Sequence, residues 1–248
     1  MTLLLSAFDN PSATFAPIQG VSGNGLNIAG ASNPAGISGV LTIENGMMRA
    51  FYTDTQADTI GPRTEIYLTP DTFGVESWVT WEFMLPSTYW TTFTGVITMG
   101  QMHDTADGGD PTRQPNIMLQ FVNKTLQIAL PSATLPTEST GFRRVPGINV
   151  EFDRWYSVCM RFLWSSTSTG FRELFLDRVP MLREWNLATA YSDTIAPYLK
   201  LGLYITNGGN PCGDKVLYVR NLKRWSGNDG YQTVMGGLPT PPQRIMEI

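Results

Sequence analysis

The residue types best suited to proton transfer and charge stabilisation occur in three short segments of the sequence. Arg63 and Glu65 are two residues apart, Gln101 and His103 are two residues apart, and residues 198–204 read Tyr-Leu-Lys-Leu-Gly-Leu-Tyr. Residues two apart on a β-strand share a face, so each segment presents its polar side chains in one direction. An imidazole exchanges protons near neutral pH, and guanidinium and amide groups donate hydrogen bonds to developing negative charge. These residue types favour acid–base chemistry on a polar substrate.

The third segment adds phenolic hydroxyls and a cation to the same kind of surface. Tyr198, Lys200, Gly202 and Tyr204 share one strand face by the same arithmetic. Gly202 leaves room between its larger neighbours. We therefore expect the three segments to meet on one concave sheet face. Each pair alone is weak evidence, and a lone histidine is more often structural.

Short alternating segments bounded by Gly, Pro, Asn or Asp predict a chain built from β-strands. The predicted strands are residues 38–43, 48–52, 64–68, 77–85, 95–101, 117–122, 125–129, 154–164, 172–176, 198–205 and 215–225, preceded by a first strand within residues 1–11. So many strands predict an all-β fold, a two-sheet antiparallel sandwich. Helical periodicity is weak everywhere, and residues 179–190 are expected to hold a turn or two of helix at most.

Composition excludes several classes of protein. The chain has 17 Lys and Arg against 21 Asp and Glu, a formal charge of -4, which argues against binding to nucleic acid or to an anionic membrane surface. No stretch approaches the ~20 apolar residues of a membrane span, so we expect a soluble chain without membrane insertion. Two cysteines are too few for a disulfide framework, and Cys159, in an apolar run, is predicted to be a buried free thiol.

The end of the chain differs in composition from the rest. Residues 1–225 are predicted to form one domain and residues 226–248, rich in Gly and Pro, an extended tail. The tail ends in an apolar tip, residues 245–248, which we expect to dock on a second subunit or on another protein of a virus particle. No signal-peptide pattern is visible, so an extracellular or virion-associated location would require another route of delivery.

The three segments resemble motifs of a known family in order and in approximate spacing. They are similar to the Arg-x-Glu, Gln-x-His and Tyr-x-Lys-x-Gly-x-Tyr motifs of polysaccharide lyases with a concanavalin A-like jelly roll, which include alginate and glucuronan lyases. Residues 152–177 and 216–222 look more like the heparin-lyase-like branch. The resemblance covers residues 38–225 and implies a jelly-roll sandwich. Tyr67 stands where alginate lyases usually carry a second basic residue, which argues against alginate as the substrate.

The resemblance also implies an activity, the cleavage of an acidic, uronate-containing polysaccharide by β-elimination. The implied catalytic residues are Arg63, Gln101, His103 and Tyr204. The implied or candidate substrate-binding residues are Glu65, Lys200, Tyr198, Arg143, Arg144 and Trp90. No cofactor and no metal is expected, because Arg63 and Gln101 can neutralise the carboxylate next to the C5 proton.

Within this implied mechanism the base has two candidates. Either His103 removes the C5 proton, or Tyr204 serves as both base and acid while His103 binds the carboxylate. In both versions Tyr204 protonates the leaving oxygen. Glu65 would orient Arg63, and Lys200 would favour an ionised or strongly polarised Tyr204.

Three alternatives remain on the sequence alone. The same sandwich serves non-catalytic carbohydrate-binding proteins and structural proteins of phage particles. A glycoside hydrolase would need two facing carboxylates, and the three segments supply only Glu65.

The series Asp104, Asp107 and Asp110 offers oxygen ligands for calcium but lacks the EF-hand spacing, so residues 104–115 are predicted to be a solvated lid loop.

Overall fold

The chain folds as two antiparallel β-sheets packed face to face. The computed structural model describes residues 2–6, 26–29, 41–53, 63–110, 113–132, 141–205 and 213–227. Within these ranges lie 15 strands and one short helix, and every pairing between strands is antiparallel. Cys212 lies outside the described residues, and so does the predicted tail beyond residue 227.

One sheet, sheet A, contains eight strands. Its strands are β1 (Thr2–Ser6), β3 (Leu41–Glu44), β4 (Met47–Tyr52), β6 (Glu76–Met84), β11 (Tyr156–Leu163), β12 (Gly170–Leu176), β13 (Val179–Leu187) and β15 (Lys215–Ser226). Their order is β13-β12-β11-β6-β15-β4-β3, and β1 pairs with β15.

The other sheet, sheet B, contains seven strands. They are β2 (Leu26–Ala29), β5 (Arg63–Leu68), β7 (Val96–Thr105), β8 (Ile117–Val122), β9 (Thr125–Pro131), β10 (Phe142–Asn149) and β14 (Ile195–Ile205). Their order is β10-β9-β8-β7-β14-β5-β2. Two sheets with only antiparallel pairings confirm the predicted two-sheet antiparallel sandwich.

Tight turns set the register of three hairpins. The β3–β4, β8–β9 and β12–β13 connections each consist of two residues with positive φ, namely Asn45-Gly46, Asn123-Lys124 and Asp177-Arg178. This combination belongs to type I′ turns, whose twist matches that of the flanking strands.

The core lies between the sheets and is built by alternation along each strand. In β14, Leu199, Leu201 and Leu203 are buried in it, and large side chains such as Trp81 and Phe162 reach it from sheet A. Burying one such side chain contributes about 1.5–3 kcal/mol. Because the odd-numbered residues from Leu199 onward fill the core, the even-numbered residues Lys200 and Tyr204 point away from sheet A.

Two local predictions are wrong. Residues 179–187 form strand β13 rather than helical turns, because Leu182 packs in the core and the strand pairs along β12. Residues 87–92 lie between two predicted strands and were expected to hold no helix, but they contain the helix α1 (Ser87–Trp90). Among the described residues no helix is long and apolar enough to cross a membrane.

Candidate active site

The three segments singled out in the sequence lie on three adjacent strands of sheet B. Strand β14 runs between β5 and β7, and it pairs Tyr198 with His103 and Lys200 with Gln101. On its other side Lys200 pairs with Tyr67. We call the side of sheet B that faces away from sheet A the polar face; its central residues are Glu65, Tyr67, Gln101, His103, Tyr198 and Lys200.

A hydrogen bond across β14 joins two of these strands at the floor of the polar face. The Nε2 of Gln101 donates to Oε1 of Glu65 at 2.7 Å, and both side chains are buried. Gly202 lies opposite Glu65, with φ +147°, and a Cβ there would stand 2.0 Å from the carbonyl oxygen of Thr64. Glycine is therefore required, and the missing side chain lets Gln101 reach over β14. Nε2 carries two hydrogens, and this bond uses one of them.

His103 is held at one edge by its neighbour. Its Nδ1 lies 2.9 Å from the backbone oxygen of Asp104 and 3.2 Å from the Oδ1 of the same residue. Both partners accept hydrogen bonds, so we assign the proton to Nδ1, which leaves Nε2 of the neutral ring as an acceptor. The side chain is 29% exposed, which permits contact with a substrate.

A buried ion-pair network fixes Asp104 in turn. Arg113 Nε donates to Asp104 Oδ2 at 3.1 Å, its Nη2 pairs with Asp193, and its guanidinium lies 4.4 Å from the centre of the Tyr191 ring. Burial alone would raise the pKa of Asp104, but the hydrogen bond with His103, the charge that His103 carries when it is protonated, and the charge of Arg113 outweigh it and lower the pKa. Asp104 therefore stays ionised behind His103.

The loop prediction is accordingly wrong at both ends of the segment. Asp104 and Arg113 are buried rather than solvated, and Asp107 accepts hydrogen bonds from the backbone and hydroxyl of Thr194. Sequence reasoning missed Arg113 and Asp193 because 80 positions separate them and neither belongs to a motif.

Aromatic rings line the polar face beside His103. The Tyr198 ring lies 5.9 Å from the His103 ring and 6.0 Å from the Tyr67 ring, centre to centre. The Nζ of Lys200 lies 5.5 Å from the Tyr198 ring centre. This contact places the ammonium beside Tyr198. A half-buried tyrosine flanked by a cation suits a sugar ring that carries a carboxylate.

Tyr204 lies farther along β14 on the same face. It pairs with Thr98 on one side and with Arg63 on the other, and it is half-buried. Irregularities in register occur in this stretch, between Thr98 and Gly100 and between Leu201 and Tyr204. Such bulges bend strands, and they are common next to active sites. The backbone of Arg63 is described but its side chain is not, so its predicted contact with Glu65 stays a prediction.

The other three predicted binding residues, Arg144, Arg143 and Trp90, lie in different parts of the fold. Arg144 is exposed on β10 and pairs with Ala129. Arg143 pairs with the core residue Leu130, and its guanidinium forms an ion pair with Glu184 of sheet A, so it points away from the polar face. Trp90 is not a substrate-binding residue, because it is fully buried and its indole Nε1 donates to the backbone oxygen of Val216 at 2.6 Å.

One acidic group in the described part of the chain has the geometry for a cation. Carboxylate oxygens of Asp107, Asp110 and Asp193 lie within 4.8 Å of one another. The guanidinium of Arg113 already pairs with Asp193 and lies 3.4 Å from Asp110. This arginine supplies positive charge where a metal ion would otherwise do so.

Comparison with solved structures reveals the same fold in lyases. An endo-β-1,4-glucuronan lyase from the fungus Trichoderma reesei matches with a TM-score of 0.61 and 15% identity, over 90% of this chain and 94% of that one. Alginate lyase Aly36B matches with a TM-score of 0.59 and 15% identity, over 91% and 96%. The marine PL7 alginate lyase AlyA1 from Zobellia galactanivorans matches with a TM-score of 0.52 and 17% identity, over 80% and 85%.

Comparison of sequences gives the family. The search of curated proteins returns no match. The sequence profile described as polysaccharide lyase, however, matches residues 37–223, most of the 248 residues. With the jelly-roll sandwich and the polar groups gathered on sheet B, this match leads to the conclusion that the chain belongs to the polysaccharide lyase family and is a carbon–oxygen lyase.

Proposed function

We propose that the protein cleaves a uronate-containing polysaccharide by β-elimination on the polar face of sheet B. The observation that carries the proposal is the buried hydrogen bond between Gln101 and Glu65 across Gly202, with His103 and Lys200 on the adjoining positions. A buried amide fixed on one side by a carboxylate is preorganised to donate on the other. Such donors are required where the negative charge of a uronate carboxylate increases during proton removal.

Electrostatic stabilisation of the uronate is assigned to Gln101 and Arg63. When the C5 proton leaves, charge spreads onto the carboxylate, and hydrogen bonds to it strengthen in the transition state. Removing one such donor in other enzymes costs about 10²–10³ in turnover. Glu65 acts as a positioning residue, since it holds the Gln101 amide in place. These groups supply the neutralisation without a metal-dependent step.

Proton transfer is assigned to His103 and Tyr204. The neutral His103 ring presents Nε2 as an acceptor for the C5 proton, because Nδ1 already faces two oxygens of Asp104. The electron pair of the C5–H bond forms a C4–C5 double bond, the C4–O4 bond breaks, and Tyr204 protonates O4. No water is consumed. By register Tyr204 lies opposite Thr98, five residues along β7 from His103, which is about 16 Å on a regular strand. The assignment therefore requires the bulges between the two positions to bend β7 and β14 so that both side chains reach the same sugar.

A panel of uronate polymers tests the proposal. The wild-type protein should generate the absorbance of an unsaturated uronate on at least one polymer, and Tyr204→Phe and His103→Ala should each lose most of it. Tyr218→Phe is the matched control, because it removes the same hydroxyl from a half-buried tyrosine of sheet A. Saturated products would indicate a hydrolase instead. Binding without cleavage would indicate a carbohydrate-binding protein, and equal activity in Tyr204→Phe and Tyr218→Phe would exclude the assigned acid.

A further inference from the structure

Strand β10 gives the polar face a cation far from the reaction centre. Neighbouring residues of a strand point to opposite sides, and Arg143 shares the core side with Leu130, which it faces across the β9–β10 pair. Arg144 must therefore project on the polar face, where it faces Ala129.

The strand registers place Arg144 in line with the centre of the site. Arg144 pairs with Ala129, Ala129 pairs with Met118, and Met118 pairs with Gln101. Lys200 continues the same row on the far side of Gln101. Strands are about 4.8 Å apart, so three spacings separate Arg144 from Gln101 by about 14 Å, a distance that several sugar units span.

Among the described residues, none neutralises the charge of Arg144. The side chain is exposed, and within the described ranges of the chain no carboxylate lies at ion-pair distance from it. The two residues between it and Gln101, Ala129 and Met118, carry no charge. An arginine fork binds a carboxylate through two parallel hydrogen bonds. A polymer with a carboxylate on each unit is a partner of the matching charge and repeat.

We propose that Arg144 forms a distal subsite that binds the carboxylate of a uronate several units away from the bond that is cleaved. The inference rests on the proposed function and extends it. It assigns a direction to the substrate, which crosses the strands of sheet B along the row from Lys200 to Arg144. It also makes the enzyme selective for long chains, because a short oligomer bound at Gln101 does not reach β10.

Kinetics on uronate oligomers of defined length test this subsite. With the polymer, Arg144→Ala should raise KM about threefold to fivefold, the upper range for an exposed ion pair, with kcat unchanged. With an oligomer too short to span about 14 Å, the same variant should match wild type. Arg144→Lys should retain part of the affinity, and added salt should narrow the difference.

Arg143→Ala is the matched control for this experiment. It removes the same charge from the neighbouring residue but on the other side of the strand, where Arg143 pairs with Glu184. A length-dependent defect in Arg144→Ala alone supports the subsite. Equal kinetics of the two variants, or a defect independent of length, would overturn it while leaving the lyase proposal intact. A wild-type protein that cleaves no uronate polymer would instead refute the proposed function, and the subsite with it.

Discussion

Replacing Gly202 with alanine should disrupt the site and the sheet together. The glycine has φ +147°, a conformation that other residues adopt only with strain, and that strain costs about 1–3 kcal/mol. An added Cβ would also stand 2.0 Å from the oxygen of Thr64 and 2.8 Å from the Cα of Glu65. Backbone atoms cannot rotate away, so β5 and β14 must separate, and overpacking of this kind costs about 1–3 kcal/mol.

The sum, about 2–6 kcal/mol, is a large part of the 5–15 kcal/mol that stabilises a typical domain. Urea unfolding followed by tryptophan fluorescence measures the loss, and turnover measured under native conditions reports the displacement of Glu65 from Gln101. Gly74→Ala is the control: Gly74 has φ +70° but nothing within 4 Å of an added Cβ, so only about 1 kcal/mol should be lost. If Gly202→Ala is as stable as Gly74→Ala and fully active, the close approach of β5 to β14 is not as described.

Three further outcomes follow from the charged and buried groups. The folded state lowers the pKa of Asp104. The contribution of the carboxylate to stability is therefore complete above about pH 4, and it is lost as the pH falls through the lower pKa of the folded state. The free energy of unfolding of Asp104→Asn should depend less on pH in that acid range, and an unchanged pH dependence would contradict the network. Turnover should survive a chelator, and loss of activity that calcium restores would instead make Asp107 and Asp110 ligands. Burial, and after it the charge of Glu173, raises the pKa of the Cys159 thiol. In a Cys212→Ser variant a thiol reagent should therefore react with Cys159 only after denaturant is added. Rapid reaction of the native protein would contradict the burial of Cys159.

The sequence predicted the sheet architecture because alternation determines which side chains face the core. The same alternation predicted that Glu65, Gln101, His103 and Lys200 share one face. Polar residues two apart on each strand point to the same side, and the pairing of β14 with β5 and β7 brings them together. At position 202 the sequence indicated only that glycine leaves space between Lys200 and Tyr204. The structure adds that a side chain there would meet the backbone of the neighbouring strand.

Other features depend on contacts between distant segments and had no local signal. Arg113 joins Asp104 to Asp193 across 80 positions of sequence. Arg143 and Arg144 were both candidate binding residues because strand β10 was not predicted. Neighbouring residues of a strand point to opposite faces, so β10 separates the two side chains. For Trp90 the sequence allowed both a core position and stacking on a sugar, and only the contacts of the folded chain show that it lies in the core.

The mass of the cleavage products tests the central claim, β-elimination, most directly. Elimination consumes no water, so the new non-reducing end is one water molecule lighter than the end that hydrolysis generates. We predict that mass spectrometry of oligomers released by the wild-type protein finds only the lighter, unsaturated ends, and that Tyr204→Phe releases almost none of them. Saturated ends carrying the added water would contradict the account.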